Sequence, residues 1–534
     1  MLKGIVPRDY QTNIVDSVLA HGNTLAVLPT GLGKTLIALM LIDRLASRGR
    51  ILFLAPTRPL AEQHYKTIMK HLDIPEDDII LITGTIPPKK RAELWGRKII
   101  VATPQTVKND HAKGLFSFSG VSFCIVDEAH RSIGNYAYTY ITKECISNNV
   151  LILGLTASPG GDPKRIKDIM ANLAISNVEL RTRQDEDVKP FVKEINISWV
   201  KVELDENLTE AAGILREMVR KYSQMFREWG MGMRFPSKKN LVAIRSRIDR
   251  LKGGAKYTVL SHYTTFFNLV HMLELLETQG VSPFLKYIEK LKASESKGAK
   301  RILASEELEK ILKLVEGREH PKMKKLLEIV NERREKKMII FTQYRERLGD
   351  IVSLLKQSGL KAEAFIGQRK GMTQEIQKKA LEDFRNDVFN IMVATSIGEE
   401  GLDVPSVDTV IFYEPIPSEI RSIQRRGRAG RAKAGEVLIL VTSGTQDEGF
   451  YWSSIRREKK MHAIIKRVSR EKTEEREGKE RGELKSDEKT KKKTRAKKTK
   501  TKEKPKEKSE DEKPYATEEK QVTEEKQTSI LDFI

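Results

Sequence analysis

Short apolar runs alternate with amphipathic stretches through the first third of the chain. The runs fall at 24–28, 51–54, 79–82, 99–101, 123–126 and 150–153, and the segments between them space their apolar residues helically. Continuous apolar strands separated by helices predict a parallel sheet covered on both faces. From about 204 to 317 strand signals stop and long helical patterns take over, with Phe266, Leu269, Val270, Leu273 and Leu276 forming one buried face. At His320 the alternation resumes, with strands expected at 338–342, 361–365, 391–394, 409–413 and 435–441. Beyond about Arg470 the chain becomes Lys, Glu, Thr and Arg, too poor in apolar residues to bury a core. Gly478, Gly482, Pro505 and Pro514 count against one long charged helix there. The pattern predicts an α/β protein: two parallel-sheet domains, an α-helical insert between them and a disordered C-terminal tail. The expected boundaries are 1–203, 204–317, 318–465, 466–526 and 527–534.

Length and charge support this division. A chain of 534 residues exceeds what one core can serve, and 32% charged residues with a net charge of +22 point to an anionic partner. Nucleic acid leads, because Lys and Arg gain affinity for phosphate by releasing counterions. A merely solvated basic surface is the competing reading. Cys124 and Cys145 have no ligand-like spacing and are expected to be core thiols. No stretch of about eighteen apolar residues occurs, so the expectation is a cytoplasmic protein without membrane attachment.

Candidate chemistry sits at the ends of the first strands. Leu28-Pro-Thr30-Gly31-Leu-Gly33-Lys34-Thr35 joins a strand to a helix. Glycines there let a loop close on phosphate, Lys34 reaches the terminal phosphates and Thr35 ligates Mg2+. Leu28 stands where the strict phosphate-loop pattern has Gly, but the strand, loop, helix context is the one the motif requires. Further on, Asp127-Glu128-Ala129-His130 follows an apolar strand. Asp127 is suited to hold Mg2+ through water, and Glu128 to orient and deprotonate an attacking water. ATP and Mg2+ are thus the expected cofactors.

A nucleotide loop alone would serve a kinase, a transporter or a GTPase. The second α/β unit narrows the choice, because Gln424-Arg-Arg-Gly-Arg428-Ala-Gly-Arg431 can place guanidinium groups on transferring phosphate. The run 394–405, which includes Gly401 and Asp403, follows a strand and has the glycines and hydroxyls of a phosphate-contacting loop.

Over roughly residues 5 to 460 these motifs resemble, in order and spacing, the superfamily 2 helicases. Arg8-Asp-Tyr-Gln11 is similar to the adenine-reading motif, Ala55-Pro-Thr-Arg-Pro-Leu60 and Ala102-Thr-Pro-Gln105 to strand-binding motifs, and Thr156-Ala-Ser158 to the coupling motif. The helical insert, Asn135-Tyr-Ala-Tyr138 and the run from Glu414 to Gln424 resemble the archaeal Hef helicases, akin to the Fanconi anaemia M translocase and more distantly to RIG-I and Dicer. The resemblance implies two RecA-like units that close on ATP, bringing Arg428 and Arg431 onto phosphate held by the first. It assigns adenine to Arg8 and Gln11, ribose to Asp403, and the link between nucleotide and strand surfaces to His130 with Gln424. DNA would cross the tops of both units on Thr57, Arg58, Thr83, Gly84, Thr103, Gln105, Thr342 and Thr395, moving with 3′ to 5′ polarity.

In the insert, Arg245, Arg247 and Arg250 are expected to grip duplex near a junction, a solvated helical face being the alternative. Forked or branched DNA is the expected partner, in fork repair by a monomer in the archaeal cytosol, associated with the nucleoid. An RNA-directed ATPase of the RIG-I or Dicer kind is the alternative. No nuclease motif is found, so no nuclease activity is expected. Finally, Gln527, Ile530, Phe533 and Ile534 resemble the peptide that binds the sliding clamp PCNA, which favours a natural chain end.

Overall fold

The computed structural model describes residues 2–191, 196–232, 238–251, 253–366, 374–395, 407–415 and 435–450, and then 452–453, 456, 459–468 and 470–474. The first sheet holds β1 (Thr24–Val27), β2 (Arg50–Leu54), β3 (Ile79–Ile82), β4 (Ile99–Ala102), β5 (Val121–Asp127), β6 (Leu151–Thr156) and β7 (Asn177–Leu180). Its order is β3-β4-β2-β5-β6-β1-β7, and every pairing is parallel. The four residues of β1 and of β4 are wholly buried, as expected of strands covered on both faces. Two cores result, one on each face, and Cys124 and Cys145 lie buried in one of them.

The second sheet holds β8 (Asn196–Val202), β9 (Met338–Thr342), β10 (Ala362–Phe365), β11 (Ile391–Thr395), β12 (Thr409–Phe412) and β13 (Glu436–Thr442), in the order β10-β11-β9-β12-β13-β8. All these pairs are parallel too. β8 corrects the first boundary: residues 196–202, expected inside the 1–203 domain, pair along their whole length with β13.

Between β8 and β9 run the helices Glu206–Phe226, Lys238–Asp249, Gly254–Glu274, Val281–Lys292, Lys297–Leu303 and Glu306–Val315. Asp205, Ser296 and Ser305 cap three of them through bonds to Leu208 N, Ala299 N and Leu308 N. Phe266, Leu269, Val270, Leu273 and Leu276 are all buried together in the bundle core.

The bundle is tied to the second sheet by buried charge. Lys322 and Asp447, both sealed from solvent, form an ion pair, and Lys322 Nζ also donates to Thr278 O at 3.3 Å. Glu277 accepts from Arg216 at 2.7 Å and from Gln446 N at 3.1 Å, while Arg347 donates to Gln279 O. Breaking one member of such a pair leaves a buried charge and costs roughly 3–5 kcal/mol, so the joint fixes one docking of bundle on sheet.

The end of the second domain needs a further correction. Met461, Ile465 and Val468 lie in a helical stretch, 459–468, and are buried in the core of the first domain rather than the second. Residues 470–474 are also helical, so the expected break at 465/466 falls inside a helix. A second unit, 475–534, lies outside the described residues, and with it Gln527, Ile530, Phe533 and Ile534. No helix among the described residues is long and apolar enough to cross a membrane.

Candidate active site and nucleic-acid interface

The carboxyl end of β1 runs into the expected loop. Gly31 and Gly33 adopt left-handed φ values of 88° and 73°, which only glycine takes without strain. A Cβ at Gly33 would collide with the Gln11 amide. Gly33 opens the helix Lys34–Leu45 with no side-chain cap, and such an uncapped helix N-terminus suits an anion. Lys34 Nζ folds back onto its own loop and donates to Leu28 O at 2.9 Å. Thr30 Oγ1 is sealed from solvent without a hydrogen-bond partner among the described residues.

Gln11 is only 2% exposed. Its Nε2 donates to Leu32 O at 3.1 Å, and its Oε1 accepts from Arg8 N at 3.0 Å. The amide expected to read adenine thus supports the loop. Tyr10, inside the same motif but given no role of its own by the sequence, donates to the same carbonyl at 2.9 Å, and the Arg8 guanidinium lies 5.0 Å from the Phe191 ring centre.

Asp127 ends β5, and Glu128 follows it in a left-handed conformation at φ 51°. For a non-glycine residue this costs roughly 1–3 kcal/mol and is typical of functional turns. His130 Nδ1 lies 3.3 Å from Glu128 Oε2 and 3.2 Å from Thr156 Oγ1, and Thr156 Oγ1 in turn donates to Ser158 O at 3.1 Å. Burial pushes the Glu128 carboxyl up, but His130, Lys34 and Arg131 together hold it below the ordinary carboxylate range. Glu128 is thus ionised at neutral pH, as a base acting on water must be. Arg165 donates to His130 O at 3.2 Å, and Ser158 Oγ to Met461 Sδ at 2.8 Å, so the helix following the second domain touches the Thr156-Ala-Ser158 turn.

His64 likewise carries no motif signal in the sequence. Its Nε2 lies 2.9 Å from Asp127 Oδ2, and both side chains are nearly buried. Among the described residues no three His, Cys, Asp or Glu side chains converge as a metal site. A cation at Asp127 and Thr35 would depend on phosphate and water for its remaining ligands. The residues present fit a magnesium nucleotide: a glycine loop, an uncapped helix N-terminus, an orphaned hydroxyl, a lysine and a carboxylate.

The strand-binding candidates also cluster at carboxyl ends of strands. Thr57 and Thr103 precede the helices Arg58–His71 and Pro104–Ala112, and neither side chain caps its helix. Gly84 and Gln105 are exposed. Three hydroxyls are turned inward: Thr83 is buried and 2.9 Å from Thr85 Oγ1, while Thr342 and Thr395 are buried at the ends of β9 and β11. A strand contact at these three would have to use their backbone groups. Arg58 is held by Glu62 at 2.6 Å, and Glu62 is also 3.3 Å from Lys378 of the second domain. Burial raises the Glu62 pKa, but both cations outweigh it and the group stays low.

In the insert Arg247 and Arg250 are exposed, whereas Arg245 is 3.3 Å from Asp249. Trp229 and Tyr257, 39% and 75% exposed, also belong to the insert and carry no motif that sequence reading could find. Gln424, Arg428, Arg431, Gly401 and Asp403 lie outside the described residues.

Three family models match the chain: type III restriction enzyme, res subunit, over 4–161; the helical bundle of ATP-dependent RNA helicases over 207–340; and the helicase conserved C-terminal domain over 321–433. Among solved structures, the Pyrococcus furiosus Hef helicase domain is 43% identical with a TM-score of 0.66, covering 84% of this chain and 98% of that one. A Methanocaldococcus jannaschii protein named as an ATP-dependent RNA helicase is 40% identical over 87% of this chain and 61% of its own length. The Neurospora crassa ATP-dependent DNA helicase mph1 and the Arabidopsis thaliana DEAD-box ATP-dependent RNA helicase FANCM are each 34% identical, over 83% and 84% of this chain. The chain spans only 41% and 36% of those two proteins.

Proposed function

Because this chain belongs to the Hef family of superfamily 2 helicases, we propose that it is an ATP-driven DNA translocase that remodels forked or branched DNA during repair of stalled replication. The observation that carries the reading is the path of contacts from Glu128 through His130 and Thr156 to Ser158, which joins the Asp127-Glu128 turn to the Thr156-Ala-Ser158 turn and would serve to couple nucleotide and strand.

Magnesium, when bound, supplies charge neutralisation at the transferring phosphate. Thr35 and Asp127 would hold it, Lys34 would swing from Leu28 O to the terminal phosphates, and Glu128 would take the proton of the attacking water. Arg428 and Arg431 would reach across from the second unit. Strand contacts at Thr57, Arg58, Gly84, Thr103 and Gln105 go to the sugar-phosphate backbone, so sequence preference should be weak. Stepping is expected with 3′ to 5′ polarity. Arg247 and Arg250, with the exposed rings of Tyr257 and Trp229, suit a branched duplex held by charge and stacking. A recognition peptide at Gln527 to Ile534 would tether the motor to PCNA.

The names of two relatives specify RNA, which favours a second reading as an RNA-directed ATPase. Steady-state ATP hydrolysis with forked DNA, a four-way junction, plain duplex and double-stranded RNA separates the two. Greatest stimulation by branched DNA is expected. Stimulation by double-stranded RNA alone would overturn the DNA assignment.

A further inference from the structure

His64 sits on the helix Arg58–His71, one strand away from the Asp127-Glu128 turn, and is 7% exposed. Its ring lies 4.5 Å, centre to centre, from Phe53 of β2. Nε2 is 2.9 Å from Asp127 Oδ2, and Nδ1 is sealed from solvent without a hydrogen-bond partner among the described residues. A carboxylate only accepts, so the nitrogen that faces it carries a proton and Nε2–H donates to Asp127. Tyr138 OH donates to Asp127 O at 2.7 Å, fixing the backbone of the same residue. Asp127 is thus held at both main chain and side chain, with Oδ2 committed to His64 and no bond to Oδ1 among the described residues.

We propose that His64 is a positioning residue for the divalent-cation site: by holding Asp127 Oδ2 it keeps the carboxylate in the orientation that receives the cation and its water. The proposal rests on the nucleotide-site reading above. The terminal torsion of an aspartate is soft, with broad minima, so an unrestrained carboxylate must be ordered when the cation binds. A hydrogen bond from a ring already packed on Phe53 orders it beforehand. Partners of this kind behind a metal's ligands are worth about 10–100-fold in metal affinity.

The test uses the full chain with ADP and Mn2+ as a spectroscopic stand-in for Mg2+, bound cation being counted by electron paramagnetic resonance. His64→Phe keeps a ring against Phe53 but has no donor, His64→Leu removes both, and His64→Gln returns an N–H donor. Thermal melting establishes that each variant is folded. Binding of a fluorescent ADP analogue in EDTA reads the loop without metal. The Phe and Leu variants should lose at least about tenfold in Mn2+ affinity in the ADP complex while metal-free ADP binding is unchanged, and Gln should recover most of the loss. Unchanged Mn2+ affinity in a folded Phe or Leu variant overturns the proposal. So does an equal loss of metal-free ADP binding, which would mark general distortion, or a Gln variant as poor as Phe, which would assign the effect to packing. Failure of the wild-type chain to bind ADP at all would remove the nucleotide site itself, a different result from any of these.

Discussion

Lowering the pH from 7.5 to 5 should weaken the seating of the helix Pro321–Glu332 at the joint between bundle and second sheet, and His320 is the reason. Its Nδ1 accepts from Lys322 N at 3.2 Å, capping that helix, and its Nε2–H donates to Glu277 O at 3.1 Å. Both nitrogens are satisfied only in the neutral ring, since a proton on Nδ1 would face a donor. Burial first, then the charges of Lys322 and Arg347, push the pKa down to about 3 against one opposing bond to Glu277. An unfolded histidine titrates near 6.5. Above that value neither state binds the proton, between 6.5 and 3 only the unfolded state does, and so stability is lost as the pH falls through this window. At pH 5 the cost is about 2 kcal/mol, and it depends almost wholly on the unfolded value because 5 lies well above the native one. Glu277, raised by burial, acts in the opposite direction. Native-state hydrogen exchange of peptides from this helix, corrected for intrinsic rates, should show roughly thirtyfold less protection from His320 titration at pH 5 than at 7.5. His320→Asn keeps a capping oxygen but cannot titrate; it should lose about 1 kcal/mol at both pH values for the missing Glu277 bond, and the pH dependence assigned to His320 should vanish. Identical pH dependence in wild type and variant would refute the reasoning.

At the nucleotide site, Lys34→Ala should abolish ATP hydrolysis with DNA binding retained, and Glu128→Gln should cut turnover about 10²–10⁴-fold with ATP affinity little changed; steady-state turnover beside fluorescent-nucleotide binding checks both. Arg428→Ala and Arg431→Ala should behave like Glu128→Gln, because they act on transition-state charge, and lost nucleotide binding with preserved turnover would contradict that role. Charge reversal at Arg245, Arg247 and Arg250 should lower fork preference and reduce the salt slope of binding by about one for each phosphate no longer neutralised, with the smallest effect at Arg245, which Asp249 already holds. Calorimetry with a peptide of the last twenty residues should show micromolar binding to PCNA, abolished by Ile530→Ala with Phe533→Ala.

The pieces that could be read in the sequence are those whose signal is local. β1, the glycine loop and its helix form one continuous stretch, and the burial of β4, β5 and β9 shows directly as apolar runs. β8 has no such run: Asn196, Ile197, Ser198 and Lys201 are exposed because it is an edge strand. Its partner β13 lies more than two hundred residues further along, so proximity in sequence places residues 196–202 with the first domain although they pair in the second sheet. His64 is a lone histidine on an amphipathic helix, and nothing in its neighbours marks a bond to Asp127. The helix after the second domain is the instructive case. Met461, Ile464, Ile465 and Val468 have helical spacing, but they stand where the composition turns to Lys, Arg and Glu, and composition outweighed periodicity. Met461 meets Ser158 across 303 residues, a pairing that no local pattern encodes. A domain boundary drawn after residue 465 therefore cuts between two residues, Ile465 and Val468, that both seat on the core of the first domain. The chain leaves the first domain only after Phe191, which packs on Tyr10 and Arg8, and comes back to it only after completing the second.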